Sequence, residues 1–180
     1  VPKHVVRVGL TITTDIDEIV RLAKAIKADY LHLSARPEEF PASSIRKVHE
    51  LLPGQKLMLA VPVGGPETRT AAVGWAKEME PMASVILLDT MRADAKVYGA
   101  TGIVHDWSIS REIVETVKVP VILAGGLGPD NVAEAIRTVR PWGVDSLTKT
   151  SFAENRSLKD PVKVKKFVEE AMKTAKELGL

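Results

Sequence analysis

Residues 119–132 read Val119-Pro120-Val121-Ile122-Leu123-Ala124-Gly125-Gly126-Leu127-Gly128-Pro129-Asp130-Asn131-Val132. The run from Val119 to Ala124 is short, β-branched and apolar on both faces, as a strand buried on both sides of a parallel sheet should be. Paired glycines stop it. Pro129, following Gly128, then opens a helical pattern that continues to about Thr138. Strand, tight turn and helix in one short stretch make a βα unit, and this unit sets the frame for the rest of the chain.

The same alternation repeats outward in both directions. Apolar runs occur at Val5 to Leu10, Tyr30 to Leu33, Leu57 to Val63, Val85 to Leu88 and Val144 to Leu147. Amphipathic stretches separate them. Asp15 is placed to cap a helix from Ile16 to Ala28, whose apolar positions Ile16, Ile19, Val20, Ala23 and Ile26 recur at helical spacing. Asp160 and Pro161 supply an N-cap and first helical residue for a last helix that Gly179 ends. Six strand–helix repeats with short connections, except around Thr90 to Asp106, mean a parallel sheet with right-handed crossovers. An open doubly wound sheet and a (β/α) barrel both satisfy that pattern.

Composition narrows the function class. The chain has 180 residues, 45% hydrophobic and 27% charged, enough for one domain and too short to argue for two. A net charge of +2, with basic residues spread along helices, gives no case for nucleic acid or a membrane surface. No apolar run approaches the roughly 18–20 residues a bilayer requires, and no signal peptide opens the chain, so a cytoplasmic location is the default. The absence of cysteine rules out disulfides, thiolate nucleophiles and zinc–thiolate sites. Asn131, Asn155 and Gln55 are the only side-chain amides, which together with abundant Lys and Glu suggests a thermophilic source.

In either architecture a ligand sits at the carboxyl ends of the strands. Those ends offer His32 and Ser34, Asp89 and Thr90, Gly125 and Gly126, and Asp145 and Ser146. The long connection adds Gly99, Thr101, Gly102, His105 and Asp106. Gly125-Gly126-Leu127-Gly128 leads into a helix N-terminus, where backbone N–H groups can approach a phosphate; a tight turn without a ligand fits equally well. Asp106 lies between His105 and Trp107. A carboxyl group shielded by an indole can have its pKa raised and act as a general acid, whereas the plain alternative is a helix cap. Asp89 and Asp145 could bind substrate hydroxyl or amine groups, or accept loop N–H bonds. No close histidine spacing supports a metal, and neither metal nor cofactor is expected.

Taken as a set, these motifs resemble the phosphoribosylanthranilate isomerase family. Val85-Ile86-Leu87-Leu88-Asp89-Thr90, Gly99-Ala100-Thr101-Gly102 and His105-Asp106-Trp107 are similar to the family's LLDT, GGTG and FDW sequences. Pro120 to Leu127, Pro129, Asn131-Val132, Ala135-Ile136, Gly143-Val144-Asp145 and Lys159-Asp160 follow in the family's order. The resemblance implies a TIM-type (β/α) barrel in which the six visible units are strands three to eight, in a single domain over residues 1–180 without the first two βα units. It also implies a phosphorylated small-molecule substrate and an Amadori rearrangement in tryptophan biosynthesis. There an acid protonates the furanose oxygen, the ring opens to a Schiff base, and a base removes the C2′ proton. On this resemblance the acid falls on Asp106, and substrate binding falls on Asp89, Gly125, Gly126, Asp145 and Ser146.

The departures are specific. The family's base is a cysteine on strand one, and this sequence has none. Its strand-eight SSGVE is replaced by Ser146-Leu147-Thr148-Lys149-Thr150, and its histidine after strand four aligns with Ser34. Two readings therefore stand: an isomerase whose first quarter is absent from the chain, or a divergent paralogue that binds a sugar phosphate without this activity. The strand-eight change favours divergence. Lys149 is a candidate substitute phosphate ligand. A metal-assisted epimerase using His32 and His105 is a minor third reading. Six units without closure would expose strand edges, so a homo-oligomer is expected.

Overall fold

A computed structural model of the protein describes residues 2, 4–90 and 104–180. Gly99, Thr101 and Gly102, singled out from the sequence, lie outside the described residues. Strands β1 (Val8–Thr11), β2 (Tyr30–Leu33), β3 (Lys56–Val63), β4 (Val85–Thr90), β5 (Val121–Leu123) and β6 (Gly143–Val144) alternate with helices. These are α1 (Ile16–Ile26), α2 (Ala42–Leu51), α3 (Arg69–Met79), α4 (Trp107–Thr116), α5 (Val132–Val139) and α6 (Pro161–Leu178).

All pairings are parallel, and the strands stand side by side in chain order from β1 to β6. A doubly wound sheet reverses its strand order at a switch point, whereas a (β/α) barrel adds strands in sequence. The observed order is therefore that of six consecutive units of a (β/α) barrel.

The core follows from the pleat. Leu57, Leu59, Val61 and Val63 of β3, Ile86 and Leu88 of β4, and Leu123 of β5 point outward and are buried under the helices. They join two adjoining apolar clusters, one with α3, α4, α5 and Phe167 of α6, the other with α1 and α2. Each such side chain contributes about 1.5–3 kcal/mol through burial. The inward-facing residues form a smaller cluster of Met58, Val85, Leu87 and Ala124, packed by Tyr30 and Ile122. Toward β1 this inner face opens to solvent, leaving Val8, Leu10 and Ile12 45%, 60% and 59% exposed.

Local chemistry sets the ends. Asp15 Oδ1 accepts the Glu18 N–H at 3.0 Å and starts α1 where expected. Lys27 enters the left-handed region at φ 50° and its N–H returns to the Ala23 carbonyl, so the helix stops at Ile26 and not at Ala28. The Asp160 carboxylate caps the Val162 and Lys163 N–H groups, Pro161 is the first residue of α6, and Gly179 closes it at φ 67°. Three strands are shorter than the apolar runs suggest, β5 among them at Val121–Leu123. Val5 is drawn into a turn by its bond to the Pro2 carbonyl, and β6 ends at Val144 because the chain then winds into a 3-10 turn at Thr148–Thr150. Among the described residues no helix is long and apolar enough to cross a membrane.

Candidate active site

The carboxyl ends of the strands surround a cleft of about 570 Å³. Asp89, Gly125, Gly126, Asp145 and Ser146 line it from β4, β5 and β6, and His32 lines it from β2. The structure thus brings together every candidate for substrate binding read from the sequence. Asp106 is not among the lining residues.

Asp89 is the most perturbed acid. It sits one residue before the end of β4, with its carboxyl partly withdrawn from water. Desolvation raises its pKa from 3.8 to about 6, opposed by the Thr90 N–H, which donates to Oδ1 at 2.7 Å, and supported by the charge of Asp145. A carboxyl group raised to about 6 keeps a small protonated fraction at pH 7, larger than that of an ordinary aspartate, and can pass that proton to a substrate oxygen.

The turn after β5 supplies the second feature. Gly125 and Gly126 have φ of 84° and 65°, the left-handed region that glycine adopts without a Cβ clash. Space excludes a side chain as well: a Cβ on Gly125 would stand 2.1 Å from Thr90 Oγ1 and 2.9 Å from Thr90 N. Asn131 fixes the rest of the turn, accepting the Gly128 N–H at 2.8 Å and donating to the Gly126 carbonyl at 3.1 Å. Helix α5 therefore begins at Val132, three residues later than the Pro129 start expected from sequence. The glycine turn lies in the cleft just ahead of the N-terminal end of α5, where backbone N–H groups can approach an anion.

The loop after β6 closes the cleft. Ser146 donates its hydroxyl to the Leu127 carbonyl at 2.6 Å, so its side chain joins two loops and is not presented to a ligand. Lys159, which sequence reading noted only as part of a Lys–Asp pair, proves central here. Its Nζ reaches the Leu147 carbonyl at 2.7 Å, Thr150 Oγ1 at 3.0 Å and the Ser146 carbonyl at 3.2 Å. Crowding pushes the Asp145 carboxyl upward and Lys159 pulls it back, but Asp145 stands open to water, which screens both effects. Lys149 lines the same cleft, its alkyl chain resting where a Cβ on Gly128 would be, 2.8 Å from its own Cβ.

Asp106 differs from expectation. It is the N-cap of α4, accepting the Ser108 N–H at 2.9 Å and the Ser108 hydroxyl at 2.7 Å. These bonds, with Arg69 and His105 nearby, lower its pKa, because burial there is too slight to counter them. The indole of Trp107 does not shield it, and the cap reading fits what is observed.

His32 and His105 are both buried, and desolvation lowers each from 6.5 to about 4, so both rings are neutral at pH 7. His32 Nε2 has no hydrogen-bond partner. Both His105 nitrogens are engaged, Nδ1 with Thr90 Oγ1 at 3.0 Å and Nε2 with Ser110 Oγ at 2.6 Å. Among the described residues no group of three or more His, Asp or Glu could hold a metal ion.

The comparisons agree with this geometry. The family model described as N-(5'phosphoribosyl)anthranilate (PRA) isomerase matches residues 1–170. N-(5'-phosphoribosyl)anthranilate isomerase 2 of Methanosarcina mazei is 37% identical over 173 residues, covering 94% of this chain and 71% of that protein. The phosphoribosyl anthranilate isomerase of Thermotoga maritima superposes with a TM-score of 0.76 at 27% identity, over 96% of this chain and 75% of that one. A phosphoribosyl anthranilate isomerase solved with reduced 1-(o-carboxyphenylamino)-1-deoxyribulose 5-phosphate gives a TM-score of 0.72 at 26% identity, over 96% of this chain and 74% of that one. The chain thus spans a little under three quarters of these relatives. With its strand order, its acid at the end of β4 and its glycine turn before α5, it belongs to the N-(5'-phosphoribosyl)anthranilate isomerase family.

Proposed function

We propose that this cleft binds N-(5′-phosphoribosyl)anthranilate and carries out the acid-assisted ring opening of its Amadori rearrangement, with Asp89 as the acid. The observation that carries this is the raised pKa of Asp89 in a cleft where the glycine turn after β5 lies beside it. The phosphate rests on the Gly125–Gly126 backbone and the start of α5, with Lys149 on the adjoining loop as a further cation. Asp89 gives its proton to the furanose oxygen. The C1′–O bond breaks as the nitrogen lone pair forms the protonated Schiff base. The C2′ proton then passes to solvent water in the open cleft, and as the C1′=N electrons return to nitrogen the enolamine forms, which becomes the ketose.

Proton loss from C2′ requires an acceptor. His32 lines the cleft and is neutral, yet a nitrogen whose conjugate acid has a pKa of about 4 drives carbon deprotonation poorly. Its fitting role is a hydrogen bond to a substrate hydroxyl. The experiment that tests the reading is the decay of anthranilate-type fluorescence when purified protein meets the ribosylamine. Steady turnover supports it. Saturable binding of ribose phosphate without turnover would establish the second reading, a sugar-phosphate-binding paralogue, which the altered Ser146–Thr150 motif favours.

Asp106 is assigned no part in the chemistry. Asp106→Ala is expected to cost about 1 kcal/mol of stability as a lost helix cap and to leave turnover within about threefold of the parent. Thermal melting and the same fluorescence assay check both. Loss of turnover in a folded Asp106→Ala protein would return the acid role to that residue.

A polypeptide of this sequence by itself is expected to self-associate. Among the described residues no strand pairs with the outer edge of β1, and beside it Val8, Leu10 and Ile12 offer a continuous apolar strip. Solution scattering that returned a monodisperse monomer would contradict this.

A further inference from the structure

His105 meets both halves of the proposed site from behind. It lies just ahead of α4, buried to 7% exposure. Its Nδ1 bonds to Thr90 Oγ1, and Thr90 is the residue whose N–H holds the Asp89 carboxylate. Its Nε2 bonds to Ser110, fully buried in the first turn of α4. The same Nδ1 lies 3.1 Å from the point where a Cβ on Gly125 would stand. Next along the chain, the Asp106 N–H donates to the Gly64 carbonyl after β3, so the ring's own backbone is anchored to a third strand end.

A neutral imidazole carries one donor and one acceptor nitrogen, and each faces a hydroxyl that can play either part. The ring is therefore satisfied in whichever tautomer it adopts, and it stays uncharged because burial lowers its pKa to about 4. An apolar ring of similar size, such as the Phe of the family's FDW motif, would fill the space and leave the Thr90 and Ser110 hydroxyls without this bridge.

We propose that His105 is a positioning residue, a buried strut that fixes the end of β4 against the Gly125–Gly126 turn and so sets the acid relative to the phosphate. This rests on the functional reading above, in which Asp89 is the acid and the glycine turn the anion site. Its physical content is separable from turnover, because the strut acts on a carboxyl and on a set of backbone amides.

The test compares His105→Phe, His105→Asn and Thr90→Val with the parent. In His105→Asn the shorter amide retains a partner for Thr90. Two readouts need no substrate: the Asp89 titration followed by carbon-13 NMR, and inorganic phosphate binding followed at the Gly125 and Gly126 amides. In His105→Phe and Thr90→Val, water admitted at the loosened strand end should move the Asp89 midpoint down by about half a unit or more. Phosphate affinity should weaken about five- to tenfold, as the loss of one positioning hydrogen bond would give. His105→Asn should lie nearer the parent on both, although Phe conserves ring size better. In the turnover assay the same order should appear in kcat as well as KM. If His105→Phe lowers the melting temperature alone and leaves the Asp89 midpoint and phosphate affinity unchanged, the residue is merely structural and the proposal falls. If the parent fails to turn over the ribosylamine while both shifts occur, the strut stands and the isomerase reading is what fails.

Discussion

Replacing Asp89 by Asn should lower kcat/KM for the ribosylamine by about 10²–10⁴-fold, the usual worth of a positioned proton donor, while making the protein more stable at pH 7. The two effects share one cause. The carboxyl is raised from 3.8 to about 6, so the folded state holds its proton more tightly than the unfolded chain does. Stability from this group is fully present below pH 3.8 and falls as pH rises toward 6. Above pH 6 the buried carboxylate is an uncompensated cost of up to about 3 kcal/mol, reduced by whatever water reaches the cleft. Asn keeps the shape and cannot ionise. Urea unfolding of parent and variant at pH 7.5 and pH 4 should therefore show the variant ahead only at the higher pH. An active variant would dismiss Asp89 as the acid. A variant destabilised at pH 7.5 would dismiss the burial argument on which the assignment stands.

Acidification should weaken the fold steeply between pH 6.5 and 4, well above the range of ordinary carboxylates. His32 and His105 have folded pKa values of about 4 against 6.5 for the unfolded chain, so the unfolded state binds two protons that the native state refuses. Stability is intact above pH 6.5 and is lost as pH falls through this window, about 3 kcal/mol for each ring. Asp89 acts in the opposite sense over nearly the same range and offsets roughly one of the two. The net loss of about 3 kcal/mol is a large share of the 5–15 kcal/mol typical of whole domains. Urea midpoints taken from pH 7.5 to 4.5 measure it. His32→Gln should flatten the curve, and Asp89→Asn should steepen it, so that the variant more stable at neutrality becomes the more acid-sensitive one. A flat profile in the parent would mean that the two rings are not buried as described.

What the sequence conveyed depended on how local the cause was. The β2 strand at Tyr30–Leu33 and the Asp160–Pro161 start and Gly179 stop of α6 were legible because each follows from a few adjacent residues. The family motifs located the cleft for the same reason. Choosing between two aspartates did not follow from neighbours in the chain. The donors that lower Asp106 belong to Ser108, two residues on, and so were open to the cap reading, whereas Asp89 owes its raised pKa to burial in the folded protein and to the charge of Asp145, 56 residues away. Ser146 is a similar case, since its hydroxyl is engaged by Leu127, 19 residues away. The role of Lys159 was hidden because its three acceptors belong to a loop 9 to 13 residues earlier.

The crowding at Gly125 has an evolutionary consequence. Two independent obstacles bar a side chain there: the left-handed backbone, and the backbone nitrogen of Thr90, which would remain 2.9 Å away even if the threonine side chain were lost. A change at position 90 removes only one of these obstacles, so it leaves position 125 bound to glycine, and the dependence between them runs in one direction. A library randomised at both positions and selected for folding should return glycine at 125 beside many residues at 90, and no substitution at 90 should release 125 from glycine.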